Sequence, residues 1–425
     1  ADSILAEGRS RLKALLHPLL RAIPYDGGPN RLPGIGSMRL LKRLLLGLFG
    51  GLVALVLLGL LGLFVVQPTL ASRLVGLAFG GEQGPHQRIA GGSVPALLVA
   101  ADGQRTIPAT ALDQAVAWGG SVESHALLVW QGGALQLEHY YPGHDAQSIT
   151  ATQSMHKSLL ALLVGIAIDQ GLIRSVDDTA ATYIQEWAGD GRNRITIRQM
   201  LQQASGIDFP GFTGLVQMTL GGDVAPYTFS RGVIEPGGKH FEYNNINPEV
   251  LGILIQRVSG KPYSQYLAEN LWQYVSEADG NVLIDSEKHG IPITFCCLDA
   301  PARSWLRFGL LHLNGGRVGD RQVVPAQWMR DTITPSPTNP NYGYFTWLGT
   351  TYERVRRYNS KSAATALHSA PFAAPDVIFF DGFGGQRVYI VPSKQLVIVH
   401  LGPLRQDWDD AILPNILLRA LPQTP

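Results

Sequence analysis

Ser154 and Lys157 stand three residues apart at the head of an unbroken apolar run, Ser158-Leu159-Leu160-Ala161-Leu162-Leu163-Val164-Gly165-Ile166-Ala167-Ile168. Residues three apart on a helix share a face, so this spacing sets a hydroxyl beside an amine, a nucleophile next to its base. A helix that is apolar all round is buried inside a domain rather than laid on its surface. Burial disfavours the ammonium form, which would leave Lys157 neutral near pH 7 and able to take the serine proton. At the helix N-terminus, Ser154 would also meet unpaired N–H groups and the positive end of the dipole, both of which favour developing negative charge. Taken alone, the pair also reads as a serine cap with a solvated lysine in the first turn, so context has to choose.

Two further stretches add to it. In Pro236-Gly237-Gly238-Lys239-His240-Phe241-Glu242-Tyr243-Asn244-Asn245, a Gly-rich loop before a helix, Tyr243 and Asn245 can aim a phenol and a carboxamide at one point. A phenolate beside Lys157 would shuttle protons, and the competing reading is a turn with a packed tyrosine. In Asp381-Gly382-Phe383-Gly384-Gly385-Gln386, between two strands, the glycines let backbone approach a ligand. A strand-edge N–H there would complete an oxyanion hole with the N–H of Ser154, the alternative being a flexible hairpin turn. His139, His144 and His156 lack ligand-type spacing, and His156 reads as a first-turn residue with no chemical role. No metal or cofactor is expected.

The order Ser154-x-x-Lys157, Tyr243-Asn244-Asn245, then a Gly-rich turn before the C-terminal helix resembles the serine β-lactamase and penicillin-binding superfamily, closest to class C β-lactamases and their esterase and amidase relatives, including 6-aminohexanoate-dimer hydrolases. Met200-Leu201-Gln202-Gln203-Ala204-Ser205-Gly206, Val250-Leu251-Gly252-Ile253-Leu254 and the run from Ala302 to Leu311 are similar to the same family, so the resemblance covers roughly Leu112 to Leu421. It implies Ser154 as the acylated nucleophile, Lys157 as its base partner, Tyr243 as the residue exchanging protons with serine and leaving group, and Asn245 as a holder of substrate or lysine. Phe383, Gly384, Gly385 and Gln386 would line the substrate, the N–H of Gln386 completing the oxyanion hole. Phe383-Gly384-Gly385 stands where the family carries Lys-Thr-Gly, and a phenylalanine supplies neither the charge nor the hydroxyl that binds a substrate carboxylate.

The elements that must position these residues follow from pattern. Ala126–Trp130 and Ala134–Glu138 flank Gly132-Gly133 as a hairpin, and Asp376–Phe380, Gln386–Val391 and Gln395–Leu401 read as a late antiparallel meander. Helices are expected over Ala109–Trp118, Thr196–Gln203, Pro248–Ser259, Ala302–Leu313 and Asp407–Leu421. Strands at both ends with helices between them give an α+β fold, an antiparallel sheet flanked by helices with an inserted helical region, and the resemblance implies that it is of the β-lactamase/transpeptidase type. Before it, basic Met38-Arg39-Leu40-Leu41-Lys42-Arg43 precedes an uncharged run from Leu44 to Val66. At about 1.5 Å per residue such a run spans a bilayer core of about 30 Å, and it is too long for a signal peptide. The basic flank stays cytoplasmic, which sends the remainder across the membrane. The expected division is a leader or extension over 1–37, an anchor over 38–72, a linker over 73–108 and a hydrolase domain over 109–425.

A net charge of +1 argues against a nucleic-acid surface. Cys296 and Cys297 are adjacent, where bonding to one another is awkward, and are expected to be reduced or incidental. The sum is a membrane-anchored serine hydrolase of the cytoplasmic membrane, its domain on the periplasmic or extracellular side, cleaving a small amide or ester through an acyl-enzyme. A class C-type β-lactamase or DD-peptidase is the alternative, and a silent cell-envelope binding protein the rival from another class. Aromatics Phe209, Phe212, Tyr227, Tyr342, Tyr344, Phe345 and Trp347 suggest an apolar acyl or aryl group in the pocket, unless they are core.

Overall fold

In the computed structural model, residues 35–78 and 83–422 are described, so the leader expected before residue 35 lies outside them. The chain divides into two units, 1–65 and 66–425. The first contains a helix, Ile35–Val66, whose Leu44–Val66 stretch has a mean hydropathy of 2.7 and is long and apolar enough to cross a membrane. Proline cannot supply the N–H that continues a helix ladder, and Pro68 opens a separate helix, Pro68–Ala78. That second helix belongs to the larger unit, where Arg73 Nη2 donates to the Asp285 carbonyl at 2.6 Å.

The larger unit is built on a six-stranded antiparallel sheet in the order Ala134–Tyr140, Ala126–Gln131, Leu396–Leu401, Gln386–Val391, Ile378–Gly382, Trp347–Leu348. The expected hairpin and late meander are therefore neighbours, joined where the first and last strands of the pattern pair. The late strands Gln386–Val391 and Leu396–Leu401 are buried at every residue, which is why they read as continuous apolar runs. Helix Ala302–Leu313 lies across this sheet, and Gly309 permits the approach: a Cβ there would come within 2.5 Å of Val397 Cγ1.

A second antiparallel sheet, His86–Ile89, Gly280–Leu283, Leu298–Pro301 and Ile149–Ala151, was not foreseen; strands of three or four residues leave no periodic signal. The C-terminal helix is shorter than expected, Ile412–Leu418 instead of Asp407–Leu421. Asp409 and Asp410 spend their carboxylates on Ala411 N–H and on two arginines, which holds the preceding segment in a turn.

Helix His156–Asp169 is the interior element the apolar run implied, with its residues from His156 to Ala167 all buried. It packs on helix Ile246–Ser259 and on Trp328, whose indole N–H donates to the Ala161 carbonyl at 2.9 Å. Helix Ile246–Ser259 ends at Gly260 in the left-handed conformation, φ 64°, as the sequence indicated. These two helices present the N-terminal ends that carry Ser154, Lys157 and Tyr243.

Candidate active site

Ser154 sits in a single helical turn, Gln153–Met155, that runs directly into helix His156–Asp169. The residue before it, Gln153, is held at φ 53°, a left-handed conformation unusual for a side-chain-bearing residue. In the first turn of a helix the Ser154 N–H is outside the ladder and open to a ligand. Lys157 Nζ donates to Ser154 Oγ at 2.8 Å. The same ammonium nitrogen donates to the Phe295 carbonyl, which also lies 3.3 Å from Ser154 Oγ. Lys157 is 1% exposed; burial brings its pKa down to about 7, even though the charges of Asp381 and Glu249 pull it up. A neutral amine at hydrogen-bond distance from a hydroxyl is able to remove its proton.

Tyr243 completes the cluster. Its phenol is close enough to Ser154 to feel that hydroxyl electrostatically, and Lys157 Nζ lies 4.9 Å from its ring centroid. Burial, then the charge of Asp381, raise its pKa well above the ordinary tyrosine value. Tyr243 is therefore a phenol at neutral pH and not the phenolate the sequence reading invoked, which leaves Lys157 as the proton acceptor. The main chain of Tyr243 is clamped: its N–H donates to the Tyr358 carbonyl and its carbonyl accepts from Asn359 Nδ2, each at 3.0 Å. Its ring stacks on Trp347 at 6.0 Å and meets Tyr342 edge-on at 6.3 Å. Tyr342, Tyr344, Phe345 and Trp347, suggested as pocket lining, are core residues, and two of them hold Tyr243 in place. Phe212 alone of that set is strongly exposed.

Asn245 begins the helix after Tyr243, and its carboxamide oxygen is buried with no hydrogen-bond partner among the described residues. Asn244 is instead structural, its amide donating to the Ile207 carbonyl at 2.8 Å.

The opposite wall is the hairpin between strands Ile378–Gly382 and Gln386–Val391. A Cβ on Gly382 would come within 2.3 Å of the Thr152 carbonyl, so this hairpin presses against the segment leading into Ser154. Gly384 and Gly385, at φ 79° and 100°, make the turn that L side chains would resist. Phe383 is partly exposed at its tip. Gln386 is fully buried, and its carboxamide closes on Gly402 at 2.8 and 3.1 Å, so its side chain cannot reach a substrate. Arg387 turns inward: with Arg356 it forms a buried cluster with Asp381 and Asp410, at N to O distances of 2.5 to 2.8 Å.

His156 is buried between the Cys296 carbonyl and the Tyr263 hydroxyl, each at 2.8 Å. A carbonyl only accepts, so Nδ1 carries the proton and Nε2 accepts from Tyr263. Burial lowers its pKa to about 4, which keeps it neutral. Its role is structural, holding the 295–297 segment through the Cys296 carbonyl. That segment also corrects the cysteine reading, since Cys296 and Cys297 form a disulfide. Cys297 adopts φ 67°, reversing the chain so that the two sulfurs meet. Asp223, Asp285 and His289 bring ligand atoms within 4.8 Å of one another, but Asp285 already accepts N–H groups of Ser286 and Ile291 at 2.6 and 2.9 Å. A surface cavity of about 750 Å³ lined by Asp190, Ile195, Glu235 and Pro236 contains none of the clustered residues.

Sequence reasoning missed the Phe295 carbonyl, which as main chain has no residue signature. It also missed Glu249, whose signal was present: an acid inside the apolar start of a helix is rarely buried without purpose.

Residues 109–275 match the model of the Beta-lactamase family. A 6-aminohexanoate-dimer hydrolase of Paenarthrobacter ureafaciens is 25% identical over 280 residues, 59% of this chain and 71% of that protein. By these matches the chain is similar to serine hydrolases of the β-lactamase and penicillin-binding superfamily. The fold of this serine hydrolase is also found in a Bacillus anthracis protein assigned as a 6-aminohexanoate-dimer hydrolase, with TM-score 0.64 and 18% identity, covering 83% of this chain and 96% of the other. A family VIII carboxylesterase superposes with TM-score 0.56 and 16% identity over 76% of this chain and 97% of its own. At Phe383-Gly384-Gly385 this hydrolase has no cationic side chain among the described hairpin residues, and the following Arg387 is spent on Asp381 and Asp410.

Proposed function

We propose that this serine hydrolase cleaves a small linear amide or ester through an acyl-enzyme on Ser154. The observation that carries the reading is the 2.8 Å contact between Ser154 Oγ and a buried Lys157 whose pKa is near 7. Ser154 Oγ attacks the substrate carbonyl while its proton passes to the neutral Lys157 amine. The oxyanion is held by the Ser154 N–H and a main-chain N–H of the 382–386 hairpin. Lys157 then returns the proton, by way of the Tyr243 phenol, to the departing amine or alkoxide as the carbonyl–heteroatom bond breaks. Water enters, gives its proton to Lys157 and attacks the acyl carbon, and Ser154 Oγ leaves with that proton. Asn245 orients the acyl group.

A linear substrate is favoured over a β-lactam or a peptide C-terminus because the hairpin offers no free cation for a carboxylate. The comparison that tests this is hydrolysis of p-nitrophenyl acetate and butyrate, 6-aminohexanoate linear dimer and a chromogenic cephalosporin side by side. Turnover of an ester or the linear amide, with kcat/KM at least tenfold above that of the cephalosporin, is expected; efficient turnover of the cephalosporin alone would reverse the assignment.

We also propose that Leu44–Val66 anchors the chain in the cytoplasmic membrane with Arg39, Lys42 and Arg43 on the cytoplasmic side, so that the hydrolase unit works on the periplasmic or extracellular side. The supports are the run's length, its hydropathy and its basic flank. Detergent should release the protein from washed membranes and alkaline carbonate should not; release by carbonate would count against the span.

A further inference from the structure

Both reacting side chains lean on one carbonyl. Phe295 O accepts from Lys157 Nζ and lies 3.3 Å from Ser154 Oγ, so its position fixes where the amine and hydroxyl meet. Phe295 belongs to no helix or strand, so something else must hold that carbonyl still. On one side is His156, through the Cys296 carbonyl. On the other side is Glu249, which the proposed mechanism does not use.

Glu249 is completely buried in the first turn of helix Ile246–Ser259. Its Oε2 accepts the Thr294 N–H at 2.9 Å, and the Phe295 N–H also stabilises the carboxylate. The Thr294 hydroxyl donates to the Pro248 carbonyl at 2.8 Å, and a Cβ on Gly252 would come within 2.4 Å of that hydroxyl, so Pro248, Glu249 and Gly252 of one helix all close on Thr294, the residue before Phe295. Oε1 has no hydrogen-bond partner among the described residues. A purely structural acid would be expected to satisfy both oxygens, because leaving one dry is costly.

Resting on the Ser154–Lys157 reading, we propose that Glu249 is a positioning residue of this site: by accepting the N–H of Thr294, the residue before Phe295, it holds the Phe295 carbonyl against Lys157 Nζ and Ser154 Oγ. Glu249 acts through main chain and touches no substrate. Burial pushes its pKa up to about 8, so near neutral pH much of it is the uncharged acid, whose shape glutamine copies. Reach, not charge, is then what matters.

The test compares E249Q, which keeps an acceptor oxygen at the same reach, with E249D, which keeps the carboxyl but withdraws it by one methylene. Modification by a fluorophosphonate separates the inactivation rate kinact from the binding constant KI. E249Q should retain kinact within about threefold of wild type, whereas E249D should lose about tenfold or more with KI within twofold, as displacement of a positioned group costs rate rather than binding. Both variants within twofold of wild type, or E249Q slower than E249D, would overturn the proposal. S154A in the same assay separates the two levels: if it is still modified, the nucleophile assignment has failed and not the positioning role.

Discussion

Two sets of cationic side chains are buried in the region of the site, and they have been given opposite fates. Arg356 and Arg387 are as enclosed as Lys157, yet each is bonded to two carboxylates, Asp381 and Asp410, and both are held more firmly protonated than usual despite burial. Among the described residues Lys157 has no carboxylate at ion-pair distance; its hydrogen-bond partners are a hydroxyl and a carbonyl, and burial brings it down to about 7. The difference teaches that burial alone does not make a cation reactive. A paired guanidinium braces the fold, whereas an amine surrounded by neutral acceptors is free to trade its proton at physiological pH.

Replacing Lys157 breaks that comparison most strongly. K157M keeps the volume and removes the base, so kcat/KM should fall by about 10³-fold or more. Because the native site no longer has to bury an amine, the same variant should unfold about 5 °C higher, a rise that calorimetry reads. Activity lost together with stability would mean that Lys157 is a structural cation like the arginines.

The reverse substitution sharpens the contrast. Burial pushes the Asp410 carboxyl up, but Arg387 and Arg356 outweigh it and hold it at about 2 against an ordinary 3.8. Since the folded value is the lower one, its stabilisation is present above about pH 4 and is lost as pH falls towards 2. D410N leaves two buried guanidiniums short of a carboxylate and should cost about 3 kcal/mol, measured from urea unfolding at pH 7. At pH 2 the mutant and wild type should converge; an undiminished gap there would show that packing, not charge, carries the effect.

The half of the site that was legible in the sequence is the half built from side chains at helical spacing. Ser154 and Lys157 share one helix, so their proximity followed from three residues of separation and an apolar run. Tyr243 and Asn245 were legible only as a loop feeding a helix, and the family resemblance brought them to Ser154. What stayed hidden is carried by main chain or by contacts across the fold. The Phe295 carbonyl has no residue signature, the four short strands of the second sheet have no period, and the inward turn of Arg387 depends on Asp381 and Asp410, the latter 23 residues further along. Adjacent cysteines looked awkward to pair and were read as reduced or incidental, because the left-handed turn at Cys297 is a conformational choice of the folded chain. The aromatics of the 342–347 segment were ambiguous for a related reason: composition marks them as apolar, and only packing shows that they brace Tyr243 instead of lining a pocket.

The central claim is that Ser154 becomes a nucleophile when Lys157 is neutral. Its most direct test is the pH dependence of fluorophosphonate modification of the full chain, with the adduct located by peptide mass spectrometry. The expected result is a single adduct on Ser154 whose rate climbs as pH rises through about 7, the pKa to which burial brings Lys157, and which K157M abolishes at every pH. An adduct on another residue, or a Ser154 adduct whose rate ignores pH between 6 and 8 and survives K157M, would contradict the account.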